Sequence, residues 1–266
     1  MSSLLSYFAY IYKSFKINQS DLMIEIKAFQ KVNMKGSTFI EGFPGVGLVG
    51  PMAISYMIDK LGFEYIGYIE SSEFPPLISV HKDRPMPPVR LYYSSKHAIF
   101  TVFAEFAIPV ELTYELSNKL YDFLKGNGIS KIISVGGIPS QTTDGTAFAI
   151  ASNESLKKDI KAAGLKPVGE GVATGVSALL LTRAVLDNAQ DISILVPTDP
   201  NIIDPAYAEI VINAINKLMG LNVDVTELEK EAKEIEAKVR EVMKKNRETH
   251  DTYKRAVEGA GPSMYA

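Results

Sequence analysis

The sequence predicts an α/β fold in which a mostly parallel sheet is covered by helices on both faces. From Met23 onwards, short runs rich in β-branched and aromatic residues alternate with longer runs that have the apolar spacing of helices. The composition is that of a globular protein, with 46% hydrophobic and 22% charged residues among 266. Strands that alternate with helices pair in parallel, because each helix returns the chain to the same end of the sheet.

The predicted elements follow one another in a regular order. Strands are predicted at IEIKAF, STFIEGF, EYIGYIE, KHAIFTVFAEF, KIISVGGI and ISILVPT. Helices are predicted at PMAISYMIDKLG, VELTYELSNKLYDFLKGNG, ESLKKDIKAAG, GVSALLLTRAVLDNA and PAYAEIVINAINKLMG. Several of these helices end at a glycine, which suits a C-cap. The proline-rich run 73–93 is expected to form loops and strand edges, because proline cannot donate to a ladder.

A long helix is predicted over residues 226–258, near the end of the chain. Thr226 and Glu229 have the spacing of a capping box at its start. The residues that follow form a heptad seam of apolar or small side chains: Leu228, Ala232, Ile235, Val239 and Val242. A helix of this length extends for about 45 Å, which is more than a domain of this size can cover. We therefore expect its first half to pack and its second half to project.

The composition excludes several classes of function. The net charge is −3 and no basic stripe is interleaved with aromatic residues, so no nucleic-acid partner is expected. The chain has no cysteine, which excludes disulfides and cysteine-based zinc sites. The three histidines, His81, His97 and His250, lack metal-ligand spacing and are expected to be surface or loop residues. Residues 1–22 form a predicted N-terminal extension, whose apolar stretch is too short to span a bilayer, so no membrane partner is expected.

A glycine-rich turn, GFPGVGLVG, is the most conspicuous motif. Gly45, Gly47 and Gly50 spell G-x-G-x-x-G, and Glu70 follows twenty residues later, which is formally the pattern of a dinucleotide-binding turn. However, a Phe-Pro pair separates the strand from these glycines, and a proline directly follows the third glycine. The favoured interpretation is a tight strand-to-helix turn with close packing against the sheet. No cofactor is expected, and nucleotide binding remains the alternative.

Acidic residues offer a second candidate site. Glu70, Glu73 and Glu105 lie near predicted strand ends, where ligand sites of α/β proteins form, and one hypothesis is that they meet there. A hydrolytic triad is not indicated, because GEGVATGVSALL contains serine without the G-x-S-x-G pattern.

Five stretches, taken in order, resemble the PAC2 or proteasome assembly chaperone family in its archaeal form: GFPGVGLVGPMAISYMI, SSEFPP, VGGIPS, GEGVATGVSALLL and DPAYAEIVINAINKLMGLNVDVTELEKEA. The resemblance covers residues 24–233. It implies a fold similar to that of nucleoside phosphorylases without their catalytic residues, and therefore no enzymatic activity. It also implies a cytoplasmic homo-oligomer, or an oligomer with a related subunit, that binds the α subunits of the 20S proteasome.

The same resemblance gives a role to the end of the chain. Met264, Tyr265 and Ala266 match a C-terminal hydrophobic-tyrosine-any motif, which in such proteins inserts between neighbouring α subunits. The predicted organisation is thus an extension (1–22), a PAC2-like α/β domain (23–225), a long helix (226–258) and a flexible proteasome-binding tail (259–266). Two alternatives remain open: a nucleotide-binding or nucleosidase-like enzyme that uses the glycine turn, and an oligomeric coiled-coil scaffold whose tail is silent.

Overall fold

A computed structural model describes residues 24–81, 83–140, 144–228 and 230. The strands in these ranges are β1 (Glu25–Ala28), β2 (Thr38–Glu41), β3 (Glu64–Glu70), β4 (Ser79–His81), β5 (Arg84–Met86), β6 (Val89–Ser94), β7 (Ile99–Ala104), β8 (Lys131–Pro139), β9 (Phe148–Ala151), β10 (Lys166–Pro167) and β11 (Gln190–Thr198). The α-helices are α1 (Val49–Lys60), α2 (Val110–Gly126), α3 (Lys157–Ala162), α4 (Gly175–Asp187) and α5 (Pro205–Met219). Within the described ranges, no helix has the length and apolarity needed to cross a membrane.

Nine of these strands form one sheet in the order β1-β3-β6-β7-β2-β8-β11-β9-β10, and β4 pairs with β5 in a separate hairpin. The four central strands, β7, β2, β8 and β11, are parallel to one another. Antiparallel pairs flank them on both sides, at β1-β3-β6-β7 and at β11-β9. The predicted fold class is confirmed, with its parallel strands concentrated in the middle of the sheet.

Side chains alternate between the two faces of the central strands and are covered by different helices. On face one, Ile40, Ile133 and Ile194 pack beneath α1, α3 and α5. On face two, Phe39 and Ile132 pack beneath α2 and α4. Each such side chain contributes about 1.5–3 kcal/mol through removal from water. The helices therefore cover both faces, as the near-continuous apolar runs of the central strands indicate.

The predicted helix boundaries agree with the structure to within a few residues, whereas some strands were missed. α5 begins as its sequence indicates, because the Asp204 side chain accepts a hydrogen bond from the backbone N–H of Ala206 at 2.9 Å. Strands β9 and β10 and the β4–β5 hairpin were not predicted, since they are only two to four residues long. The run 73–93, expected to form loops and strand edges, also contains the six-residue strand β6, which pairs with β7. β1 pairs with β3 at the edge of the sheet.

Candidate partner-binding site

The predicted docking residues Met264, Tyr265 and Ala266 lie outside the described residues, as do the extension 1–22 and the helix from residue 231 onwards. The structure does describe the segment in which the predicted helix begins. We call residues 223–228 the helix root.

Contacts with α1 hold the helix root against face one. The Tyr56 hydroxyl donates a hydrogen bond to the backbone carbonyl of Asp224 at 2.7 Å. The Lys60 ammonium forms an ion pair of 2.5 Å with Glu227. Leu228, the first position of the heptad seam, is only 1% exposed and belongs to the face-one core. The seam therefore begins as part of the domain core.

Hydrogen bonds from neighbouring residues fix the backbone of the root. The Asn216 side chain accepts from the backbone N–H of Val223 and donates to its carbonyl, both at 3.0 Å. Asp224 accepts from the backbone N–H of Thr226 at 3.0 Å, and this bond lowers the pKa of the Asp224 carboxyl. At this turn the accepting side chain is therefore that of Asp224, two residues before the predicted cap Thr226. Glu229, the other residue of the predicted capping box, lies outside the described residues.

The glycine-rich turn is packed tightly against its own sheet and helix. A Cβ atom on Gly50 would lie 2.7 Å from the backbone of Gly42, so α1 and the end of β2 are in direct backbone contact. Gly47 has a φ of 67°, and a Cβ there would lie 2.5 Å from the Thr198 side chain. A Cβ on Gly137 would lie 2.4 Å from the carbonyl oxygen of Val46. These contacts support the structural interpretation of the glycines.

Substitution of Gly50 by alanine is expected to destabilise the protein by roughly 1–3 kcal/mol, because overpacking would force α1 away from Gly42. Gly45→Ala is the matched control within the same motif, since a Cβ there would meet only the Phe43 carbonyl oxygen at 3.9 Å. Urea denaturation of the two variants measures the difference. Equal stabilities would show that α1 does not need this close approach.

A cleft of about 540 Å³ opens at the carboxyl ends of β8 and β11, the usual position of ligands in α/β proteins. Its described lining consists of Pro139, Ser140, Asp199, Pro200 and Asn201. Asn201 donates both its backbone N–H and its amide to Asp199, at 2.8 and 3.1 Å. Both hydrogen bonds end on the same Asp199 oxygen, Oδ1. Across the described ranges, no three acidic or histidine side chains are arranged to hold a metal ion.

The three predicted carboxylates do not share a partner: Glu73 is exposed and accepts a hydrogen bond from the neighbouring Ser72 hydroxyl at 3.4 Å. Glu70 forms an ion pair with Lys27 on the edge strand β1. Glu105, at the end of β7, is 4% exposed and accepts hydrogen bonds from Arg90 at 2.8 Å and from Ser79. His81 lies 2.6 Å from the same carboxylate. The hypothesis of one acidic cluster is thus replaced by a single buried carboxylate with a basic partner.

His81 was predicted to be a surface or loop residue, and the structure corrects this assignment. Its side chain is 29% exposed and contacts Glu105, so it helps to hold the β4–β5 hairpin against the end of β7. Burial favours the neutral form of Glu105, but hydrogen bonds from His81 and the charge of Arg90 outweigh it and lower the pKa of Glu105. The sequence signal was Arg90 within the apolar strand VRLYY, since a buried arginine requires an acidic partner.

Two further acidic residues, Glu41 and Asp191, are fully buried beneath face two and were not singled out from the sequence. Burial raises the pKa of Glu41, and it raises the pKa of Asp191 well above its ordinary value, with a further contribution from Glu41. Neither oxygen of Asp191 has a hydrogen-bond partner within the described part of the chain. Such burial favours the protonated, uncharged form of both acids.

Comparisons with known proteins agree with the architecture. The model of the PAC2 family matches residues 39–243. An uncharacterized protein of Methanocaldococcus jannaschii is 30% identical over 230 residues, which cover 84% of this chain and 95% of the relative. The crystal structure of Pyrococcus furiosus PbaA, described as an archaeal homolog of proteasome-assembly chaperone, has a TM-score of 0.76 and 31% identity, and the match covers 86% of this chain and 100% of that one. The structure of Pyrococcus furiosus PbaB, described as an archaeal proteasome activator, has a TM-score of 0.68 and 26% identity, with coverage of 82% and 98%.

Proposed function

Because the chain belongs to the PAC2 family, we propose that it is a non-enzymatic proteasome assembly chaperone or proteasome-binding protein whose C-terminal tails dock on the 20S α-ring. The observation that carries the proposal is the family match over residues 39–243, which extends into the segment predicted to form the long helix. Similarity to PbaA and PbaB along nearly their whole length supports a proteasome-related role. We place the protein in the cytoplasm as a homo-oligomer, with a related subunit as a possible second component.

Met264, Tyr265 and Ala266 carry groups that a pocket for a protein C-terminus can bind. A free carboxylate binds basic side chains or backbone N–H groups, the tyrosine supplies a large ring and a hydroxyl, and the methionine fills an apolar pocket. Three residues bury little surface and lose conformational freedom on binding, so one tail binds weakly. Several tails on one oligomer gain about 10²–10⁴ in avidity where their spacing matches the pockets.

The helix root supports this arrangement physically. Tyr56, Lys60 and Leu228 fix the segment in which the predicted helix begins, so a helix there would leave the domain from a defined position. From Leu228 to residue 258, such a helix would carry the tail about 45 Å from this root. A rigid starting point limits the volume that each tail explores, which raises its effective concentration at a matching pocket.

Deletion of Met264 to Ala266 is expected to abolish co-sedimentation with 20S particles while leaving the oligomer size unchanged in size-exclusion chromatography. Tyr265→Ala is expected to weaken binding at least about tenfold, because it removes the aromatic anchor of every tail. Tyr253→Ala, on the predicted helix, is the control for loss of a tyrosine outside the tail. Retained binding after the deletion would contradict docking through the tail.

The coiled-coil scaffold is tested in parallel with Ile235→Asp, which places a charge in the predicted seam. If this variant dissociates the oligomer and the tail deletion has no effect on 20S binding, the seam is the functional element. If Ile235→Asp dissociates the oligomer and also weakens 20S binding, the tails act through avidity as proposed.

A further inference from the structure

Exposed apolar side chains lie at the end of the sheet where the central strands have their carboxyl ends. On α2, Val110 and Tyr114 lie one turn apart and are 85% and 70% exposed. On the β4–β5 hairpin, Ile78 and Val80 are 65% and 66% exposed. We call these four side chains the α2–hairpin patch. Isolated exposed apolar residues are ordinary, but four at one end of a sheet indicate a surface that another segment covers.

The position of Glu105 shows that both the hairpin and the start of α2 lie at this end of the sheet. It follows β7 directly and binds Ser79 and His81 of the hairpin, while α2 begins five residues later. Ser79 and His81 face Glu105, and Val80 between them points in the opposite direction because side chains alternate along a strand. The hairpin therefore presents Val80 outward while its other face is held to the domain.

The first described residues of the chain lie at the same end of the sheet. β1 runs antiparallel to β3, β3 to β6, and β6 to β7, so β1 begins where β7 ends. The backbone N–H of Ile24 donates to the Glu115 carboxylate at 3.0 Å, and the Lys119 ammonium donates to the carbonyl of Ile24 at 2.8 Å. The chain before Ile24 thus arrives next to Glu115, the neighbour of Tyr114.

We propose that residues 4–12 of this chain, LLSYFAYIY, pack on the α2–hairpin patch of the same molecule. This stretch contains no charged residue, and Lys13 and Lys16 follow it, opposite in charge to Glu111 and Glu115 on α2. Twelve residues from Tyr12 to Ile24 span up to about 40 Å when extended, whereas Val110 and Glu115 are about 7.5 Å apart along the helix. The connection is therefore long enough to reach Val110 and Tyr114, the α2 part of the patch.

Tethering favours this segment over a second copy of the chain. A short tether holds its segment at millimolar effective concentration beside the patch. The four side chains of the patch expose a few hundred Å² at most, which is less than the roughly 800 Å² that each partner buries in a typical stable protein–protein interface. The area suits an intramolecular contact, because a segment of the same chain loses little translational and rotational freedom when it binds.

Disulfide trapping tests the proposal directly, because the chain has no native cysteine. In the full chain, Phe8→Cys combined with Tyr114→Cys is expected to form an intrachain disulfide under mild oxidation, seen as a faster-migrating monomer on a non-reducing gel. The control combines Phe8→Cys with Leu186→Cys. Leu186 is 76% exposed at the end of α4, next to Asp187, which pairs with Lys125 at the far end of α2. The first pair is expected to cross-link at least about tenfold faster.

Equal rates for the two pairs, or no cross-link at Tyr114, would overturn the proposal. Covalent dimers in place of the intrachain bond would assign the patch to a second copy. A second measurement compares the full chain with a chain that starts at Met23. The shorter chain is expected to bind more of an apolar fluorescent dye, and Val110→Ser with Tyr114→Ser is expected to reverse the increase. Binding to 20S particles is expected to be the same in both chains, so this test is independent of the proposed function.

Discussion

Replacement of Glu105 by alanine is expected to lower the free energy of unfolding by about 3–5 kcal/mol, because it leaves the buried guanidinium of Arg90 without its carboxylate. Arg90 is 2% exposed, and its ion pair with Glu105 measures 2.8 Å. Its other contacts include a hydrogen bond to the Pro87 carbonyl at 2.9 Å and stacking over the Phe103 ring at 5.1 Å. Neither contact neutralises a buried positive charge. Urea denaturation followed by far-ultraviolet circular dichroism measures the loss.

Two further variants separate the charge from the rest of the side chain. Glu105→Gln keeps an acceptor for Ser79 and His81 but removes the negative charge, so it is expected to retain part of the stability that Glu105→Ala loses. Glu73→Ala is the surface control, since Glu73 is exposed, and its effect is expected to stay within about 0.5 kcal/mol. A loss below about 1 kcal/mol for Glu105→Ala would show that Arg90 finds another partner or reaches solvent.

The same variants test the anchoring of the hairpin. Ser79 and His81 reach the domain through Glu105, so Glu105→Ala is expected to increase trypsin cleavage after Lys82, between the two hairpin strands, under native conditions. A cleavage rate after Lys82 that stays equal to that of the unmodified protein would show that other contacts hold the hairpin.

The sequence was sufficient for elements whose pattern is local. Strands such as β8 and β11 and helices such as α2 have long, uninterrupted periodicity, and their bounds agree with the prediction. β10 spans only Lys166–Pro167, and no two-residue pattern is distinguishable from a loop. The edge position of β1 was also beyond local reasoning, because strand order depends on contacts between residues more than thirty positions apart.

At the candidate sites, too, features set by local sequence were predicted and those set by contacts between distant residues were missed. The close packing of the glycine turn was predicted from the prolines that flank it, and the contacts of Gly47 and Gly50 agree with that packing. The pairing of His81 with Glu105 was missed, since the two residues are 24 positions apart and each is unremarkable alone. The burial of Asp191 was missed as well, because it directly precedes the apolar strand ISILVPT and had no visible reason to be buried. The tail stays a prediction that rests on family resemblance.

Asp191→Asn is expected to remove a pH dependence of stability that the buried acid imposes. Unfolded aspartate ionises near pH 3.9, whereas burial raises the pKa of Asp191 in the folded state. Between these two values the folded state binds one more proton than the unfolded state. The free energy of unfolding therefore falls as pH rises, by up to about 1.4 kcal/mol per pH unit for each such group. Urea denaturation between pH 5 and 8 measures this slope.

Glu41 has a pKa shifted in the same direction, so the slope of the unmodified protein contains contributions from both acids. Asp191→Asn is expected to reduce the slope, and addition of Glu41→Gln is expected to reduce it further. The slope is the informative quantity, because each amide also brings its own unsatisfied buried groups, which change the absolute stability at every pH.

Asp187→Asn is the matched control, four residues earlier in the chain. Lys125 and Tyr121 lower the pKa of Asp187, so its stabilising contribution is present above the unfolded pKa and is lost only as pH falls through the acid range. Its removal is expected to leave the slope between pH 5 and 8 unchanged, because Asp187 is ionised in both states throughout that window. If Asp191→Asn also left this slope unchanged, Asp191 would be ionised in the folded protein, and its buried oxygens would require a charged or hydrogen-bonding partner beyond the described residues.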